Sequence, residues 1–255
     1  MQFAICCVPV SPMRKEPSHQ SEMISQQLFG ETCTVFEESN KWIRVKCKYD
    51  GYEGWCQPHH ITEINEDLYN DDNGLLTAEP FNIVNYNNQP MTIPMGSSLP
   101  GLNNRLANWG DNIIEYKGKI WNTKTILKNG STIHDLPLKF LNTSYLWGGK
   151  SIFGIDCSGF TQTIFKFLNI PLLRDAYLQA TQGNNISSLQ LSGTGDLAFF
   201  DNEEGKITHV GILLNDHTII HSSEKVRVDK IDNDGIINNE TGFRTHHLKI
   251  IKRYF

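Results

Sequence analysis

The sequence predicts an α+β chain: one helix packed on an antiparallel meander, preceded by one or two small β-barrels. Three observations lead there. Apolar Ile43, Val45 and Cys47 alternate with Trp42, Arg44 and Lys46, the period of a half-buried strand. After Cys157 the apolar residues Phe160, Ile164, Phe165 and Leu168 recur at helical spacing. Beyond them GDLAFF from Gly195, HVGILL from His209 and TIIHSS from Thr218 read as three strands.

Taken in order, residues 1–66 read as a first barrel of short strands, with Asp50-Gly51 supplying a hairpin turn into YEGWC. The acidic patch NDDNG (Asn70 to Gly74) marks a linker. Residues 67–128 are short apolar stretches punctuated by Asn, Pro and Gly, such as MTIPMGSSLP, and predict a weakly marked second barrel. Residues 129–255 hold the helix and the meander, and Asn169-Ile170-Pro171 stops the helix.

Composition removes several functions. A net charge of −5 without a block of Lys or Arg leaves no footprint for nucleic acid. The longest apolar run, Phe3 to Val10, is far short of a membrane span and has no basic stretch before it. The expected location is therefore the cytoplasm, or the periplasm if an export signal has been trimmed. Five of the six cysteines (Cys6, Cys7, Cys33, Cys47, Cys56) fall on β-like stretches without CxxC spacing, which predicts reduced, buried thiols.

Cys157 stands apart. Asp156 or Ser158 can cap its helix, which places the thiol where unpaired N–H groups and the helix dipole favour an anion. The same N–H groups suit the oxyanion formed when sulfur attacks a carbonyl. A nucleophilic cysteine needs a base and a group to orient it. In HVGILLNDHTIIH, a three-residue loop of Asn215, Asp216 and His217 would set His209 opposite Ser223, with His221 its diagonal neighbour on the same face. Their backbones would then be roughly 7–8 Å apart, which imidazoles span. A two- or four-residue loop would put them on opposite faces. Cys157 is thus the candidate nucleophile, His209 the base and His221 its orienting partner. The other histidines, His246 included, are expected to play local or exposed roles. A zinc site on the same residues lacks a close ligand pair, so neither metal nor cofactor is expected.

YLWGGKSIFGIDCSGF from Tyr145, with GDLAFF and HVGILL, resembles the NlpC/P60 family of papain-like cysteine peptidases, over about residues 131–255. GWCQPHHI (Gly54 to Ile61) resembles the bacterial SH3 domains that accompany cell-wall enzymes. The resemblance implies a triad of Cys157, His209 and His221, with Tyr145 beside the nucleophile and Trp147 walling the site. RDAYLQ (Arg174 to Gln179) is similar to a segment of the branch that cleaves muropeptide fragments carrying a free N-terminal L-alanine. It implies Asp175 as the carboxylate for the substrate ammonium, with Arg174, Asp156 and Ser158 lining the site and Glu22 and Tyr52 as barrel contacts. The implied partner is a peptidoglycan peptide, L-Ala-γ-D-Glu joined to lysine or diaminopimelate, cut by a monomer in wall recycling. An endopeptidase or amidase acting on intact peptidoglycan, and a non-catalytic wall-peptide binder, are the alternatives.

Overall fold

The structure is a computed structural model and describes residues 2–255. Two compact units divide the chain: Met1–Ile126 with Trp147–Ile152, and Leu127–Leu146 with Phe153–Phe255.

In the first unit, seven short antiparallel strands between Gln2 and Glu63 form one sheet. The Asp50-Gly51 turn forms between Trp42–Cys47 and Glu53–Cys56, with Val45 opposite Gly54 and Gly51 at φ +70°, a conformation glycine adopts without cost. Ile43, Val45 and Cys47 point inward with Ala4, Met13, Cys33 and Cys56. Trp42 lies on the outward face of that alternation yet is only 8% exposed, because the His19 ring packs against it at 4.9 Å.

Residues 75–122 add a four-stranded sheet (Phe81–Tyr86, Gln89–Pro94, Leu106–Trp109, Asn112–Tyr116) and a two-stranded ribbon of Leu75–Thr77 with Ile120–Asn122. Their apolar side chains do not close a separate core. Val84, Ile93, Trp109, Ile114 and Tyr116 pack with Ile5, Phe29 and Ile64 of the first sheet. Trp109 and Tyr116 are fully buried, and at 150–250 Å² each their burial contributes about 4–6 kcal/mol apiece before entropy. Their polar tips are satisfied, Trp109 Nε1 on the Pro100 carbonyl (3.0 Å) and the Tyr116 hydroxyl on Asn82 Oδ1 (2.8 Å).

The second unit is richer in strand than an even mixture of helix and sheet would be. Its antiparallel sheet runs Asn184–Ile186, Arg244–Arg253, Leu197–Asp201, Ile207–Asn215, Thr218–Ser223, Lys225–Asp232, Gly235–Ile237. The last strand pairs again with Arg244–Arg253, so the sheet closes on itself. The helix Cys157–Phe167 packs mainly on Ile207–Asn215 and Thr218–Ser223. It is buried nearly all round, which is why its apolar and small polar residues both face protein. Asn169 takes a left-handed φ of +55°, the amide of Ile170 bonds back to the Phe165 carbonyl at 2.9 Å, and Pro171 prevents continuation.

The hairpin that carries the two histidines departs from the expected three-residue loop. Asn215 pairs with Thr218, leaving a two-residue turn of Asp216 and His217, and a bulge at Leu214 restores Gly211 opposite His221. One extra residue in the bulged strand offsets the one missing from the turn, so His209 and His221 still share a face. Cross-strand partners put His209, His221, Arg227 and Asp229 on the same face as the apolar cluster of Phe200, Leu213, Ile219 and Ile231. The polar chain therefore continues a core row.

Candidate active site

Asp156 ends the extended backbone before the helix, and its Oδ1 accepts the Gly159 amide at 2.6 Å. Cys157 is the first helical residue. The backbone N–H groups of Val210 and Ser158 are directed at its sulfur and favour a thiolate. Burial and the Asp156 charge act against them and push the thiol up to about 12, so the helix terminus alone does not ionise it, contrary to the expectation from the sequence. Burial thus favours the neutral thiol, and a nucleophilic role for Cys157 calls for a base that takes its proton.

His209 is the candidate to receive that proton, carried on Ile207–Asn215, the strand on which the Cys157 helix packs. Its Nε2 lies 2.8 Å from His221 Nδ1, and His221 Nε2 lies 3.0 Å from Asp229 Oδ2. His209, His221 and Asp229 are 7%, 1% and 1% exposed. Burial, then the nearby His246 and His221, hold His209 well below its usual value. Asp229 is held below the usual carboxylate range: burial opposes ionisation, but the hydrogen bonds from His221 and from the Asn239 amide outweigh it. Gly211 lies opposite His221, and a Cβ there would come within 2.8 Å of the His221 Cβ. The glycine of HVGILL thus makes room for the imidazole pair.

Two site residues escape sequence reasoning. His246, expected to have only a local role, stacks on His209 with ring centroids 4.1 Å apart, and burial lowers it to about 4. Phe200 flanks the same ring at 5.7 Å. Asp229 is hidden in KVRVDKID, an ordinary alternating strand whose register alone sets it next to His221.

The depressed His209 has a kinetic consequence. A base with a lowered value stays neutral to lower pH, so the acid limb of kcat/KM is expected below 6.5. His246→Ala lets water reach the ring, which weakens the largest cause of the depression, and should move that limb upward. An unmoved limb would mean that His246 does not shield the base.

Tyr145 is half-buried near Cys157: burial first, then the charges of Cys157 and Asp156, raise its phenol. Its backbone is pinned by the amide bond to the Glu224 carbonyl (2.9 Å) and by bridging to Ile155, two residues before Cys157. Arg174, expected at the substrate, is instead 1% exposed. Its guanidinium donates to Asp156 Oδ1 (3.1 Å), Asp156 Oδ2 (2.6 Å) and Ser158 Oγ (2.9 Å). The fork is consumed in holding the helix start, so Arg174 is a support and not a substrate contact. Asp156 and Ser158 are each 6% exposed and belong to that same cluster. Gln179 reinforces it, with its amide nitrogen on the Ser158 carbonyl (3.0 Å) and its oxygen receiving Thr161 Oγ1 (2.7 Å). Asp175 stands half-buried at the start of the short helix Ala176–Gln179.

In the first unit, Trp147 Nε1 donates to Glu22 Oε1 at 2.9 Å while its ring stays 61% exposed. Two residues expected at the substrate are thus brought together. Gly148 follows at φ +78°, and a Cβ there would lie 2.4 Å from the Met23 carbonyl oxygen, so this crossing requires glycine. Tyr52 packs on the core of the first sheet.

A buried thiol at a helix start, with a hydrogen-bonded imidazole pair and a carboxylate on the adjoining antiparallel sheet, defines a thiol hydrolase of papain-like design. The comparisons with known proteins agree. The NlpC/P60 family profile matches residues 142–245, and the bacterial dipeptidyl-peptidase SH3 domain matches residues 13–61. A probable endopeptidase of Haemophilus influenzae is 32% identical over 117 residues, 45% of this chain and 70% of the relative. The gamma-D-glutamyl-L-lysine dipeptidyl-peptidase of Bacillus cereus is 28% identical over 262 residues, 90% of this chain and 77% of the relative. The crystal structure of an NlpC/P60 family protein from Bacillus cereus superposes with a TM-score of 0.83 over 99% of both chains at 21% identity, a likeness of fold. The chain belongs to the NlpC/P60 family of cysteine peptidases, with a bacterial SH3 domain before the catalytic domain.

Proposed function

We propose that the chain is a cysteine endopeptidase that hydrolyses the bond between γ-D-glutamate and the L-lysine that follows it in a cell-wall peptide. The observation that carries this reading is the buried chain of His209, His221 and Asp229 on the sheet against which the Cys157 helix packs, a constellation suited to acyl transfer. Sulfur attacks the γ-glutamyl carbonyl as the thiol proton passes to His209. The oxyanion is met by N–H groups at the helix start, and His209 returns the proton to the leaving lysine amine. Water then hydrolyses the thioester.

A relative named for dipeptidyl release supports a substrate whose amino end lies two residues from the cut, L-Ala-γ-D-Glu. A free ammonium there needs a carboxylate, and Asp175 is the group proposed to meet it. Such a substrate is a released fragment, since intact wall carries no free amine at that alanine, and the enzyme's work is then the recycling of wall peptides. Papain-like helix-on-sheet chemistry in the second unit is the α+β part of this reading.

Cleavage of L-Ala-γ-D-Glu-L-Lys, of its diaminopimelate counterpart, and of both N-acetylated tests the reading. Only the free-amine peptides should be cut, and the lysine peptide at least as well as the other. Equal cutting of acetylated peptides would remove the ammonium pocket and point to a hydrolase of intact wall. Failure to cut any of them would refute the assigned bond.

A further inference from the structure

We propose that Asp229 is a positioning residue which sets the tautomers of His221 and His209, so that the relay runs from Asp229 through both imidazoles to Cys157. This rests on Cys157 and His209 acting as nucleophile and base.

The inference follows from counting protons. A neutral imidazole has one N–H and one lone pair, and an ionised carboxylate only accepts. Asp229 Oδ2, 3.0 Å from His221 Nε2, therefore puts the His221 proton on Nε2. His221 Nδ1 is then a lone pair, and at 2.8 Å it must receive an N–H from His209 Nε2. His209 Nδ1 is left bare, and that is the nitrogen able to take a thiol proton.

Two histidines without the carboxylate lack this direction. Their shared bond could equally run from His221 Nδ1–H to His209 Nε2, which puts a proton on His209 Nδ1 and blocks it as a base. The orientation has to come from a third group, and Asp229 occupies that place.

Asp229 is itself held. Oδ1 accepts the Asn239 amide at 2.9 Å and an Arg227 terminal nitrogen at 3.3 Å. Arg227 Nε lies 2.9 Å from Oδ2 without hydrogen-bond alignment, so its contribution there is charge. With that charge balanced, Asp229 has less pull on a second proton for His221, which would reverse the relay. The other ionisable groups facing this chain are His246, whose ring centroid is 5.8 Å from that of His221, and Glu224 and Glu240, which pair with Arg227.

The test is Asp229→Asn in the full chain, with kcat and KM on the free-amine peptide and ¹⁵N spectra of labelled histidines. In the variant the carbonyl oxygen stays with the Asn239 amide and Arg227, which leaves the NH₂ facing His221 Nε2 and reverses the direction of both bonds. We expect kcat to fall by about 10²–10⁴ with KM within about twofold, as for a base left in the wrong tautomer. His209 Nδ1 should become protonated in the variant. A folded variant with wild-type kcat, or one that loses kcat with the His209 tautomer unchanged, would overturn the proposal.

Alkylation of Cys157 by iodoacetamide needs no peptide and separates the two readings. A slower reaction in Asp229→Asn, with wild type inert on every peptide, would sink the proposed substrate and leave the relay standing. Should the variant not fold, the wild-type spectrum decides: a protonated His209 Nε2 is expected, and a protonated Nδ1 would refute the relay.

Discussion

Cys157→Ala is expected to abolish cleavage, lowering kcat by roughly four to six orders of magnitude, because without sulfur no thioester forms and the histidines have nothing to deprotonate. Fold should survive. The residue is 7% exposed and loses one atom of bulk, and the capping bonds at Asp156 and Arg174 do not involve its side chain. A destabilisation near 1 kcal/mol is the scale for so small a deletion. Thermal unfolding of both proteins beside the peptide assay checks this. Turnover above about 1% of wild type in a homogeneous Cys157→Ala sample would remove Cys157 as nucleophile, since no accessory role accounts for that much residual rate.

Arg174→Met should have the largest effect on stability, about 3–5 kcal/mol, although the substitution nearly conserves volume. The loss arises at Asp156. Its carboxylate is 6% exposed and would lose the guanidinium that donates to both of its oxygens. A buried carboxylate deprived of that charge either binds a proton or opens the helix start to water, and both disturb the segment that carries Cys157. Asp156→Asn in the Arg174→Met background removes the stranded charge and should recover part of the loss. Denaturant unfolding of the single and double variants measures it. A change under about 1 kcal/mol in Arg174→Met would mean the ion pair is replaceable by water, as surface pairs are.

Much of the site was legible in the sequence because its residue types are tied to local patterns. A cysteine after a capping Asp declares its helix position. Alternation places His209 and His221 on strands. The hairpin shows how far such reasoning reaches: the shared face was predicted from a three-residue loop, whereas the chain uses a two-residue turn and a bulge at Leu214. The hydrophobic alternation demands one register, and more than one backbone path satisfies it. Arg174 differs from what the resemblance implies for another reason: nothing near it in the sequence says that the helix start at Asp156 will fold over it.

The sequence by itself determined the elements and the chemistry: strand periods, the helix that begins at Cys157, the types of nucleophile and base, and the glycines demanded by tight crossings. Tertiary structure alone decided the partners. Asp229 and His246 lie on strands 8 and 37 residues further along the chain than His221 and His209 respectively. The shared core joining Trp109 and Tyr116 to Ile5 and Phe29 likewise depends on which sheets meet. The physical reason is the range of the forces. Backbone sterics and hydrophobic period act within a few residues and are written locally. Burial, which suppresses ionisation of Cys157 and His209 and makes Arg174 a support, exists only once distant segments have excluded water.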